Sequence, residues 1–335
     1  MPTLTPTIVP RRSFRRLWGT FLILSVIAFL LVNGAAYLAA RSMTHYVENV
    51  GRPHFHVPMT PWDKTRFFLG TLALPRPENH ATPADRRLEY ETVHFPGAHR
   101  LQIEAWRIPG KEGQPVVLLF PGYCASKESL LGYAREFHGL GYEAWLVDFH
   151  GTGGSQGNTT TIGWEEADDV AAAGREAARL RPGAPQLYFG MSLGAAAILR
   201  AEHLRSITPA ALILESPYDR LLTTVDHRFS ALGIPAFPLA NLLVFWGGEQ
   251  LGFDGFAMNP VDYARDVRCP TLLFAGEKDF RVGVPNARAI AQALGSHGTF
   301  ELLAGQGHAS YLTRTPDEWR QSVHSFLGTN LGPLR

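Results

Sequence analysis

The sequence predicts an α/β protein with a mostly parallel sheet covered by helices on both faces, preceded by one membrane-spanning helix. Three observations predict it. From residue 87 onward, short apolar runs alternate with helical stretches, the pattern of strands linked by crossover helices. The run 116–120 is apolar at every position, as a strand buried on both faces is, and 211–215 is a further short apolar run closed by Glu215. Residues 18–40 form 23 consecutive positions without a charge.

Composition narrows the function classes. The 335 residues are 45% hydrophobic and 18% charged, which suits a packed core rather than a disordered chain. Lys plus Arg number 31 against 30 acidic residues, so no basic surface points to nucleic acid. Two cysteines supply neither a disulfide framework nor a Cys-based zinc site, and no metal cluster is expected.

Residues 1–17 read as a basic cytoplasmic tail holding Arg11, Arg12, Arg15 and Arg16. Residues 18–40, at 1.5 Å per helical residue, reach roughly 34 Å, enough to cross a bilayer core of about 30 Å. Only Arg41 closely follows, so the positive-inside rule puts the remaining chain on the non-cytoplasmic side. The alternatives are a signal peptide cleaved near Gly34-Ala35-Ala36, leaving a secreted protein, and a buried helix of a soluble protein. Residues 41–86, with prolines throughout, read as a linker with one helix near 62–72. Residues 87–330 form the main domain. Within it, 88–95 and 101–108 read as an antiparallel pair. Strands follow at 116–120, 144–149, 187–190, 211–215, 271–275 and 299–303. Helices are expected at 126–139, 164–180, 193–205, 285–294 and 316–327. About 50 residues, 217–268, separate two strands; that is too long for a plain crossover helix and reads as a cap insertion. Its apolar stretch 237–246 suits either a helix packed on the body or an acyl-binding or membrane-facing lid.

Two G-x-S-x-G matches compete, centred on Ser155 and Ser192. A nucleophile elbow is a sharp strand-to-helix turn with glycines flanking the serine. Ser192 has a strand before it and a helix after it; Ser155 has neither. The competing reading of Ser192 is a helix N-cap. A serine needs a base to take its proton, and the base needs an acid to fix its tautomer. His308, in Gly305-Gln306-Gly307-His308, and Asp279, in Gly276-Glu277-Lys278-Asp279, both follow strands. They therefore fall at the sheet's carboxyl edge with Ser192. Glu277 is a rival acid. A tetrahedral intermediate needs two N–H donors, for which the backbones of Tyr123, after 116–120, and Leu193 are the candidates.

These residues resemble the α/β-hydrolase superfamily over roughly 88–328. The run Asp148-Phe149-His150-Gly151-Thr152-Gly153-Gly154-Ser155 is similar to a loop of the subgroup that contains monoglyceride lipases and serine aminopeptidase-like hydrolases. The resemblance implies an eight-stranded, mainly parallel sheet, a Ser192–Asp279–His308 triad, and no metal or organic cofactor. In that loop Asp148 and Ser155 would have an organising role. Two positions depart from the pattern: Pro121 stands where relatives often have His, and His150 where they often have Arg. The expected protein is a membrane-anchored serine hydrolase of carboxylic esters, its partners a small-molecule or lipid ester and the membrane at residues 18–40. The alternatives are a peptidase or amidase, which an acidic pocket for a substrate amine would favour, and a non-catalytic binding protein. Cys124 and Cys269, at opposite ends of parallel strands, are expected to stay unpaired.

Overall fold

The computed structural model describes residues 11–51, 59–70 and 73–332. The first ten residues of the basic tail lie outside that description, as do Pro53 and Pro58. The chain opens with helix α1 (Arg11–Thr44), then short strand β1 (Tyr46–Val47), helix α2 (Pro61–Phe68) and short strand β2 (Leu74–Pro75). Strands β3 (Glu91–Pro96), β4 (Gln102–Ile108) and β5 (Val116–Phe120) lead to α3 (Leu131–Gly139) and β6 (Glu143–Val147). Then come α4 (Glu166–Leu180), β7 (Gln186–Met191), α5 (Leu193–His203) and β8 (Ala211–Glu215). Helices α6 (Leu221–Ala231), α7 (Leu239–Leu251) and α8 (Pro260–Tyr263) precede β9 (Thr271–Gly276). The chain closes with α9 (Val284–Leu294), β10 (Gly298–Leu303), α10 (Tyr311–Arg314) and α11 (Pro316–Asn330).

Eight strands form the main sheet in the order β10-β9-β8-β7-β5-β6-β4-β3. Only β4 runs against its neighbours. Side chains alternate across each strand: Val116, Leu118 and Phe120 pack into the layer containing α4, α5 and α9. Val117 and Leu119 pack into the layer of α3 and α11 with Phe137, Trp319 and Val323. Every residue of β5, β6 and β8 is buried, which explains why all of them but Glu143 and Glu215 are apolar. Strand order reverses at β5, flanked by β6 on one side and β7 on the other. Open α/β sheets place their ligand crevice at such a switch point.

The described parts of the segment expected as a linker, 41–86, are instead folded against the domain. Helix α1 runs on to Thr44, and β1 pairs in parallel with β2. The Tyr46 N–H donates to Asn158 O at 2.7 Å, and Arg76 reaches the Gly151 and Ser155 carbonyls. Composition misled here because two-residue pairings carry no periodic signal. Within α1, 29 residues from Arg16 to Thr44 are long and apolar enough to cross a membrane. Its final turns lie against α7: Trp246 Nε1 donates to Asn33 Oδ1 at 3.2 Å, and Gln250 Nε2 to Tyr37 O at 3.0 Å. Cys124 and Cys269 are not disulfide-bonded.

The second G-x-S-x-G match has a structural part. Ser155 is buried; its hydroxyl donates to Asp148 O at 2.8 Å and accepts from the Glu104 N–H at 2.9 Å. Asp148 in turn pairs with the buried Lys127 ammonium and accepts from the Gly154 N–H. In the same loop, His150 is buried with Nδ1 2.6 Å from Asp169 Oδ2. Burial works against its positive charge, but the Asp169 carboxylate prevails and raises its pKa to about 9. A raised histidine pKa gives stability that is fully present below about 6.5 and lost as pH rises through about 9. Unfolding free energy should therefore fall by on the order of 3 kcal/mol across that window. His150→Gln should be less stable at pH 6 but flat between pH 7 and 10, as denaturant melts at each pH would register.

Candidate active site

Ser192 is the single residue between the end of β7 and the start of α5. Its backbone has φ 50° and ψ −107°, outside the regions comfortable for a residue with a β-carbon. The turn is held by the Ser192 N–H donating to Glu215 O at 2.7 Å and by Ala196 N–H donating to Ser192 O at 3.0 Å. The flanking glycines are steric requirements. A β-carbon on Gly190 would come within 2.6 Å of Ala195 N, and one on Gly194 within 2.5 Å of Phe120 O. The Ser192 hydroxyl does not cap α5. It lies instead 3.1 Å from His308 Nε2.

His308 Nδ1 is 2.7 Å from Asp279 Oδ2. The other carboxylate oxygen of Asp279 accepts from the Arg281 and Val282 N–H groups at 3.0 and 3.1 Å. Burial alone would raise the Asp279 pKa. The hydrogen bond and charge of His308, with donors from Val282 and Ser216, outweigh it and hold the carboxyl below its ordinary value. An ionised Asp279 fixes the proton on Nδ1, which leaves Nε2 as an acceptor for the serine proton. The rival acid, Glu277, is exposed and accepts from the Gly305 N–H at 2.8 Å, so it braces the His308 loop from outside.

Pro121 and Gly122 bring Tyr123 beside the elbow; a β-carbon on Gly122 would sit 3.6 Å from Ser192 Cβ. The backbone N–H groups of Tyr123 and Leu193 have no backbone acceptor among the described residues. The five residues singled out from sequence thus converge at the carboxyl edge of β5, β7 and β9, with His308 arriving from the loop after β10.

Sequence reasoning missed a layer beneath them. Ser216, also at positive φ, bonds Tyr311 and supports Asp279. The fully buried Glu215 accepts from Tyr133 Oη and Trp319 Nε1, each at 2.7 Å, and burial raises its pKa to about 7. The one available signal was position, since Glu215-Ser216 ends a strand next to the elbow.

A cavity of about 540 Å3 lies over Ser192 and His308. Met59, Phe67, Val225, Phe229 and Leu232 make its walls mostly apolar; Arg228 and Arg281 also line it. Ser42 and Met43, from the last turn of α1, complete one side, and Tyr123 Oη donates to Met43 O at 2.6 Å. A more polar hollow of about 720 Å3 lies past Cys124 and touches neither Ser192 nor His308.

Residues 111–240 match the family described as serine aminopeptidase, S33. An uncharacterized protein of Mycobacterium tuberculosis is 27% identical over 234 residues, spanning 68% of this chain and 73% of its own length. Among solved structures, an esterase of Pyrococcus furiosus superposes with a TM-score of 0.65 at 22% identity, over 77% of this chain and 97% of that one. A thermophilic esterase of Thermogutta terrifontis gives 0.53 at 18%, over 71% and 98%. With the sheet order and the elbow, these likenesses define the class: this chain has the α/β-hydrolase fold. Within that class, its central stretch is similar to the serine aminopeptidase branch.

The loops of Asp279 and His308 meet at Gly276, where a β-carbon would come within 2.5 Å of Gln306 O and 2.8 Å of Gly307 O. Gly276→Ala should push these loops apart, costing about 1–3 kcal/mol of stability. It should also lengthen the Asp279–His308 bond, which the imidazole Nδ1 proton resonance in an NMR spectrum would report.

Proposed function

We propose that this protein is a serine hydrolase that cleaves carboxylic esters with an apolar acyl group through an acyl-enzyme. The observation that carries the reading is the chain of hydrogen bonds from Asp279 through His308 to Ser192 Oγ on the floor of a largely apolar cavity. In this reading, Ser192 Oγ attacks the ester carbonyl carbon as its proton passes to His308 Nε2. Asp279 stabilises the resulting imidazolium. The oxyanion accepts from the Tyr123 and Leu193 N–H groups. Collapse breaks the acyl C–O bond, and His308 returns the proton to the departing alkoxide. Water, deprotonated by the same imidazole, then releases the acid and restores the serine.

Ester is preferred over aminoacyl amide on charge. An aminopeptidase pocket must hold a substrate ammonium. No Asp or Glu lines this cavity among the described residues, whereas two arginines do. We further infer that α1 is an uncleaved membrane anchor with the hydrolase domain on the non-cytoplasmic side. The packing of its final turns on α7 and around the cavity supports retention of the helix.

Ser192→Ala and His308→Ala should each abolish labelling by a fluorophosphonate probe and reduce ester turnover by at least about 10³-fold, with melting temperature nearly unchanged. Persistent labelling of folded Ser192→Ala would refute the assignment. For topology, a reporter fused after Arg335 that is active only outside the cytoplasm should give signal; signal from a cytoplasm-only reporter would reverse the orientation.

A further inference from the structure

Two guanidinium groups share the cavity with Ser192 and His308: Arg228 from α6, and Arg281 from the loop that carries Asp279. Several half-buried arginines elsewhere have carboxylate partners, whereas Arg200 lies against the Trp164 ring. Arg107 and Arg181 pair with Glu143, Arg220 with Asp262 and Arg320 with Glu136. Arg228 is half-buried and Arg281 is exposed at the cavity's rim, and neither has a carboxylate partner among the described residues.

Both residues adjoin the candidate catalytic groups. The Arg228 guanidinium lies 5.4 Å from the centre of the Tyr123 ring, beside a candidate oxyanion donor. The Arg281 N–H donates to Asp279 Oδ1 at 3.0 Å, so its side chain leaves from the loop that orients His308. The two are close enough to interact: burial, and then the charge of Arg228, hold the Arg281 pKa below its ordinary value. Two like charges facing an apolar cavity repel, and an anion between them relieves that repulsion. Asp279 does not serve, because both its oxygens are committed to His308 and to backbone N–H groups.

We propose that Arg228 and Arg281 form an anion subsite of the Ser192 cavity, and that the substrate is an amphiphilic ester bearing a carboxylate or phosphate group alongside its acyl chain. This rests on Ser192 being the nucleophile. The wall of Met59, Phe67, Val225 and Phe229 takes the chain while the guanidinium pair takes the charge. Guanidinium suits both anions, since it donates two parallel hydrogen bonds to either.

The test uses the full-length protein in phosphatidylcholine nanodiscs at low salt. Hexyl phosphate, heptanoate and hexanol are titrated by calorimetry, and the same compounds compete with a fluorophosphonate for Ser192. At least one anion should bind about tenfold more tightly than hexanol and slow the labelling of Ser192. The Arg228→Gln/Arg281→Gln double variant should shrink that preference below about twofold, and the double Lys variant should restore part of it. A ratio taken on one sample does not change when part of the protein is unfolded. The tighter of hexyl phosphate and heptanoate identifies the anion. Hexanol binding as tightly as both anions, or a preference that survives in the double Gln variant, overturns the proposal. Failure of the probe to label Ser192 in the unmodified protein would instead refute the serine-hydrolase reading, and the calorimetric ratio would still decide the anion subsite.

Discussion

The backbone of Ser192 is the constraint around which the molecule is arranged. A residue with a β-carbon at φ 50° and ψ −107° costs on the order of 1–3 kcal/mol and persists only where its surroundings over-determine it. Here they do. The N–H is committed to Glu215 O on the adjacent strand and the C=O to the first turn of α5. Glycines on both sides let the helix and β5 close to distances that no other residue permits. The turn aims the serine Cα–Cβ bond out of the sheet edge, and Oγ lies 3.1 Å from His308 Nε2.

That arrangement depends on a rigid floor. Glu215 supplies its carbonyl to the elbow while its carboxylate ties Tyr133 of α3 to Trp319 of α11. One residue therefore links the strained turn to the helical layer on the opposite face of the sheet. Ser216 and Tyr311 extend the same floor toward Asp279. The three loops that converge above it are short and held by backbone bonds, such as Lys278 N–H to Gln306 O at 2.7 Å. This preorganisation suits chemistry in which charge develops at a fixed point.

Much of this was legible in the sequence because it is written locally. Strands buried on both faces leave short apolar runs, and 116–120 and 211–215 coincide with β5 and β8. The elbow is a strand, a glycine-flanked serine and a helix in succession, while Asp279 and His308 announce themselves as polar residues in glycine-rich turns after strands. What was illegible is written between distant residues. Nothing near Met43 says that its carbonyl receives the Tyr123 hydroxyl, and nothing near Arg228 says that Arg281 lies close by. The proline-rich 41–86 region has the composition of a linker, yet it docks through single contacts of Tyr46 and Arg76 that no periodicity encodes. Ser155 carries the same motif as Ser192, and the absence of a strand directly before it and a helix directly after it separates a loop staple from a candidate nucleophile.

The last turn of α1 has a double membership. Its middle turns, after the arginines, meet the requirement of any spanning segment, that the residues be apolar and numerous enough, and many side chains satisfy that equally. Ser42 and Met43 obey a different rule, because they close one side of the cavity and Met43 holds the Tyr123 hydroxyl. One helix is thus written in two alphabets: a permissive one over the stretch that only has to be oily, and a strict one over the final turn, where a change of side chain reshapes the chamber above Ser192. The boundary between leader and enzyme that a designer would draw after residue 44 therefore runs through the wall of the pocket, and cutting there removes part of the room in which the substrate would be held.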